Sequence, residues 1–148
     1  MLMPTRILVP TDFSQYSDRA LDQALDIAKQ YNAKVFLLHV LHEQVYFASG
    51  DFAVPEKVAQ QFEYNISTRA QKSLQRQLES FQRAKEVHVV TAIREGVPYE
   101  EILQEEKERG IDLIVIASLG RSGIAKYLVG SVARNVLKGS KCTVLLTK

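Results

Sequence analysis

The sequence predicts an α/β fold, an open five-stranded parallel sheet with helices on both faces. Two observations carry that expectation. Strand-like and helix-like periods alternate along the chain, and two short runs, residues 7–9 and 113–117, are apolar without a charged interruption. Strands buried on both faces read as continuous apolar runs, and alternation with helices implies parallel strands joined by crossovers.

Taken in order, residues 6–10 form a short apolar strand that ends in Pro10, Thr11 and Asp12. Ser14 or Ser17 is placed to cap the helix that follows, in which Ala20, Leu21, Ala24, Leu25, Ile27, Ala28 and Tyr31 recur at helical spacing, and Asn32 is suited to a left-handed closing turn. Residues 34–40 are the second strand. Residues 43–55 are polar and aromatic without a clear period; their Tyr46, Phe47 and Phe52 suit either a cover over a site or a packed loop. A long helix is expected over 55–83, with Val58, Phe62, Ile66, Ala70, Leu74, Leu78 and Phe81 spaced mostly four apart. The third strand is expected over 87–93. Pro98 suits the first turn of a helix that Gly110 stops. Residues 113–117 are the fourth strand, 131–138 a helix followed by Gly139, and 142–147 the fifth strand. Crossovers are right-handed in such sheets. Setting the two most apolar strands side by side gives the order 3-2-1-4-5, the flavodoxin type, in which ligands bind beyond the carboxyl ends of the strands where the order reverses.

The chain has 148 residues, 46% of them hydrophobic and 24% charged, with a formal net charge of +2. That describes one globular domain spanning residues 1–148, with no pull toward nucleic acid or membrane. No apolar run approaches the ~18 residues of a transmembrane helix. The first residues lack a charged segment followed by a long apolar one, so no signal peptide is expected and a cytoplasmic location follows. The single cysteine, Cys142, excludes an internal disulfide and reads as a buried apolar filler. His39, His42 and His88 form no metal-binding pair, so no metal site built by protein side chains is expected. His39 reads as a satisfied strand-end histidine.

The residues that point to a ligand follow the first and fourth strands. Gly120-Arg121-Ser122-Gly123 succeeds the strand at 113–117, and Gly130-Ser131-Val132 opens a helix. Glycines let backbone N–H groups approach a ligand, and a helix N-terminus offers unpaired donors with partial positive charge. The expected site is a phosphate cradle made of backbone. Gly130 and Ser131 also read as a plain helix entry with Ser131 as N-cap. Asp12 reads either as a ligand contact or as a cap for the N–H of Ser14 or Gln15, and Arg121 as a solvated loop residue near the site. Walker, dinucleotide and receiver-domain patterns are absent, and no catalytic triad is recognisable.

The residues after the first strand, the strand at 113–117, the two glycine segments and the closing run from Cys142 to Leu146 resemble the universal stress protein family over nearly the whole chain. The family's nucleotide-binding members carry Gly, two residues, Gly, nine residues, then Gly followed by Ser or Thr. Gly120, Gly130 and Ser131 match; Ala117 stands at the first glycine, and Leu119 where histidine is frequent. The resemblance implies an adenine-nucleotide-hydrolase-like sheet that binds ATP or a related adenine nucleotide with Mg. Phosphates would lie on Gly120, Gly130, Ser131 and Val132, and adenosine beside Pro10, Thr11, Asp12 and the backbone of Val40. Ala117, Ser118, Arg121, Ser122 and Gly123 complete the expected nucleotide-binding set. If the backbone at 117 needs a positive φ, alanine costs roughly 1–2 kcal/mol, about tenfold in affinity. If its methyl points at the ribose, the loss is larger. The resemblance also implies a homodimer through the last strand, with Val144, Leu145 and Leu146 at the interface and Val144 and Leu146 meeting their counterparts. Two functions follow: a nucleotide-binding stress-response regulator with an unidentified protein partner, or an interaction module of the same fold that binds no nucleotide. Neither is an enzyme, although slow ATP hydrolysis is compatible with the first.

Overall fold

The computed structural model describes residues 1–42, 55–120 and 129–148. Its elements are β1 (Arg6–Pro10), α1 (Gln15–Tyr31), β2 (Lys34–His42), α2 (Glu56–Glu79), a 3-10 helix (Gln82–Glu86), β3 (Val89–Gly96), α3 (Pro98–Arg109), β4 (Leu113–Ala117), α4 (Ser131–Gly139) and β5 (Thr143–Thr147). All pairings are parallel, and the sheet order is β3-β2-β1-β4-β5, as the apolar runs predict.

Side-chain alternation splits the core into two layers. Ile7, Val9, Val35, Leu37, Leu113 and Val115 face one side and pack against Ala20, Leu21, Ala24, Leu25 and Ala28 of α1 and Leu74 of α2. Leu8, Phe36, Leu38, Ile114 and Ile116 face the other and pack against Ile102 of α3 and Ala133 and Val136 of α4. The inner strands are buried on both faces, which is why their sequence carries no polar alternation.

The helix boundaries follow their local chemistry. Ser14 is the N-cap of α1 and accepts the N–H of Ser17 at 3.2 Å. Asn32 closes the helix at φ 54, and Gly110 closes α3 at φ 61. The expected 55–83 helix is shorter, because α2 stops at Glu79 and the chain re-forms as a 3-10 helix. There Arg83 pairs with Asp22 at 2.5 Å and with Asp26, and Glu86 pairs with Lys29, fixing the segment to α1. β3 starts two residues later than expected and runs on to Gly96. Its charged end is accommodated because Arg94 turns to α3 and binds Glu101 at 2.6 Å and Glu105 and Glu108 at 2.9 Å each. Gly139 lies inside α4, not after it, and β5 begins at Thr143. Cys142 instead sits in the turn before β5, held by the buried carboxylate of Glu106. That carboxylate accepts the N–H groups of Lys141 and Cys142 at 2.8 and 2.9 Å and the Ser140 hydroxyl at 3.0 Å.

Candidate functional site

The carboxyl ends of β1 and β4 are neighbours in the sheet, so the segments that follow them converge. After β1, Thr11 anchors the turn. Its N–H donates to the Leu38 carbonyl at 2.8 Å, and its buried hydroxyl accepts the N–H of Phe13 at 3.1 Å and donates to Gln77 Oε1 at 2.9 Å. The Ser17 hydroxyl lies 3.0 Å from that of Thr11 and donates to the Ser14 carbonyl at 2.8 Å, while Gln77 Nε2 donates to Asp18 at 2.8 Å. Unpaired buried polar groups are costly, so this closed network fixes the turn. It holds Phe13 at φ 64, a conformation sparsely used by non-glycine residues. The Phe13 ring rests on His39 with centroids 4.4 Å apart. His39 Nδ1 lies 2.8 Å from the Thr11 carbonyl; a carbonyl only accepts, so Nδ1 carries the hydrogen. His39 is thus a satisfied strand-end histidine.

The turn presents Asp12. Its Oδ1 accepts the N–H of Ser14 at 3.0 Å, the capping contact the sequence suggests. Its Oδ2 lies 3.1 Å from where a Cβ at Gly120 would stand, so the glycine makes room for the carboxylate.

After β4, Ser118 extends the pairing by donating to the Thr147 carbonyl at 2.8 Å, and its own carbonyl accepts the N–H of Gly130 at 2.6 Å. The Gly130 N–H is thus engaged by backbone, and a Cβ at this glycine would stand 3.3 Å from the Ser118 oxygen. One expectation changes here. Gly130, not Ser131, is the N-cap of α4, and no side chain caps it. The N–H groups of Ser131, Val132 and Ala133 therefore open the helix without intrahelical partners. Ala117 ends β4 in strand pairing with Thr147 and is not among the positive-φ residues, which leaves no backbone strain there. It packs with the core layer beneath α1.

These segments enclose a cavity of about 290 Å³. Of the expected residues, Pro10, Thr11, Asp12, Val40, Ala117, Ser118, Gly120, Gly130, Ser131 and Val132 line it. Arg121, Ser122 and Gly123 lie outside the described residues, as do Tyr46, Phe47 and Phe52. Leu38, Pro98, Ile102, Ile116 and Ala133 also line it and make an apolar wall. Pro98 and Ile102, four apart on α3, are a helical-face signal that the sequence reading passed over. An apolar wall facing uncapped N–H groups suits a ligand with a flat apolar part and an anionic part.

Other features carry less chemistry. Burial pushes the Cys142 thiol up to about 11, so it is a poor nucleophile. Among the described residues, no three His, Cys, Asp or Glu side chains are grouped to hold a metal, and no helix is long and apolar enough to cross a membrane. On the edge strand β5, Val144 and Leu146, the residues expected to meet their counterparts, are half-buried and pack into the layer beneath α3 and α4, and Leu145 is exposed.

A profile of the universal stress protein family matches residues 3–148. Universal stress protein YxiE of Bacillus subtilis is 35% identical over 149 residues, covering 99% of this chain and 100% of that protein. The structure of universal stress protein UspA from Lactobacillus plantarum superposes over 100% of both chains with a TM-score of 0.81 at 22% identity, a likeness of fold. A universal stress protein solved in complex with cAMP matches 99% of this chain and 98% of its own at 28% identity and a TM-score of 0.68.

Proposed function

The chain belongs to the universal stress protein family, and we propose that it binds an adenine nucleotide of the ATP type in the cavity between β1, β4 and α4. The observation that carries this reading is the uncapped first turn of α4 opening onto a cavity with an apolar wall, at the point where the strand order reverses. The relative solved with cAMP supports an adenine ligand. The adenine would lie against Leu38, Val40, Pro98 and Ile102, with the phosphates on the N–H groups of Ser131 and Val132 beside Gly120. Arg121, Ser122 and Gly123, which join Gly120 to this region in sequence, remain part of the proposed set.

The protein acts as a cytoplasmic homodimer that presents a nucleotide-dependent surface to a protein partner in a stress response, and its domain spans residues 1–148. Pairing occurs through the β5 edge, where unpaired backbone groups and Leu145 are available. The protein is not an enzyme, and ATP turnover stays well below about 1 s⁻¹, the low end of the usual range; the two titratable side chains among the described lining residues, Asp12 and His39, are each tied to the turn after β1.

One observation favours the interaction-module reading. The contact of Gly130 with Ser118 accounts for that glycine by packing alone. Calorimetric titration with ATP and magnesium separates the two readings: nucleotide binding in the micromolar range supports the first, and no heat at millimolar ATP supports the second.

A further inference from the structure

We propose that Gln77, a residue of α2 that does not line the cavity, is a positioning residue for it: its amide holds Thr11, and through Thr11 the turn after β1, in the place from which that turn meets a nucleotide. The inference rests on the nucleotide reading above and concerns how the same cavity keeps its shape.

Gln77 is 7% exposed, and with Ala70 and Leu74 it makes the buried face of α2. The spacing of these three puts them on one side of the helix. An apolar residue at 77 would complete that side at less cost, since a buried amide is unfavourable unless both its ends are paired. Both are paired here. Oε1 accepts the Thr11 hydroxyl at 2.9 Å, across 66 residues of chain, and Nε2 donates to Asp18 Oδ1 at 2.8 Å. The amide therefore ties α2 to two successive segments after β1, the turn at Thr11 and the first turn of α1.

Thr11 passes this constraint to the cavity, which it lines together with Asp12. Its N–H and carbonyl are held by Leu38 and His39 of β2, and its hydroxyl accepts the Phe13 N–H at 3.1 Å. Gln77 supplies the hold from the helix side. The Thr11 hydroxyl carries one hydrogen, and Ser17 Oγ, 3.0 Å away, is a second acceptor within reach. Loss of the amide therefore turns the hydroxyl toward Ser17 and lets the turn shift; it does not leave a donor unpaired. The expected effect on nucleotide affinity is a loss of about three- to tenfold, that of one net hydrogen bond, and not the abolition of binding.

The test is calorimetry with ATP and magnesium on the wild type, Gln77→Met and Gln77→Glu, with thermal unfolding to check that each is folded. Methionine keeps the length and helix preference of glutamine and removes both hydrogen bonds. Well below its Tm, Gln77→Met should bind about three- to tenfold more weakly than the wild type. A protonated glutamic acid repeats the amide, accepting from Thr11 and donating to Asp18, whereas the carboxylate faces the Asp18 charge. Burial and Asp18 both favour the protonated form as pH falls. Compared with the wild type at the same pH, Gln77→Glu should bind within about twofold of it near pH 5.5 and about three- to tenfold more weakly near pH 8.5. Wild-type affinity in a folded Gln77→Met overturns the proposal and leaves Gln77 a stabilising residue only, even if its Tm falls. So does a Gln77→Glu that binds as weakly as Gln77→Met near pH 5.5. In both cases the nucleotide reading survives. A wild type that gives no heat at millimolar ATP overturns both.

Discussion

Substitution at Gly130 tests how the two loops of the site are held together. Gly130 has φ −55 and ψ 157, a conformation any residue adopts, so a side chain there acts through space and not through backbone strain. A Cβ would stand 3.3 Å from the Ser118 oxygen, and 3.9 Å from the Gly120 nitrogen and the Leu119 Cα. Alanine therefore forces the 2.6 Å hydrogen bond from Gly130 to Ser118 to give by a few tenths of an ångström, at a cost of about 1 kcal/mol. Valine adds two methyl groups toward backbone that cannot rotate away. Overpacking of that kind costs about 1–3 kcal/mol, or roughly 3–9 °C in Tm for a domain of this size. The separation of α4 from Gly120 must widen, which moves the Ser131 and Val132 donors from the phosphates. Nucleotide affinity in Gly130→Val should fall more than tenfold, and in Gly130→Ala by about two- to fivefold, as read by calorimetry beside thermal melts. A folded Gly130→Val that binds as the wild type does would refute the reasoning and place the site elsewhere.

Other outcomes follow from the same geometry. Leu145→Asp should convert the dimer to monomer by light scattering, because Leu145 is the exposed apolar side chain of β5; a wild type that is monomeric at high micromolar concentration sinks the dimer. Ala117→Gly should leave affinity within twofold, because no strain is relieved, and should lower stability by about 0.5–1 kcal/mol, as glycine does inside a strand; a tenfold gain in affinity would contradict the strand geometry seen here. Cys142 should react with iodoacetamide at pH 8 much more slowly than a free thiol. Its folded value is raised from 9.0 to about 11, so the protonated thiol's contribution to stability is present below pH 9 and is lost as pH rises toward 11; a Cys142→Ala variant should lack that component of the alkaline loss.

Much of the fold was readable because the inner strands are pure apolar runs and the helices close on local signals such as Asn32 and Gly110. The errors lie where long-range partners decide. Nothing near residue 79 signals that α2 stops there, since the 3-10 helix that follows is held by Asp22 and Asp26 on α1. β3 tolerates Arg94 because carboxylates on α3 neutralise it. In the site, glycine spacing pointed to segments that line one cavity, but the hydrogen bond of Gly130 to Ser118 has no local signature. The Thr11–Gln77 contact spans 66 residues, and the facing of Val144 and Leu146 depends on which layer covers β5.

The claim that the cavity holds an adenine nucleotide is tested most directly by denaturing the purified protein, extracting it and chromatographing the extract, then titrating the stripped chain with ATP and magnesium. The account predicts release of adenine nucleotide from the native preparation, or micromolar rebinding by the stripped one. No nucleotide in the extract together with no heat at millimolar ATP would contradict it.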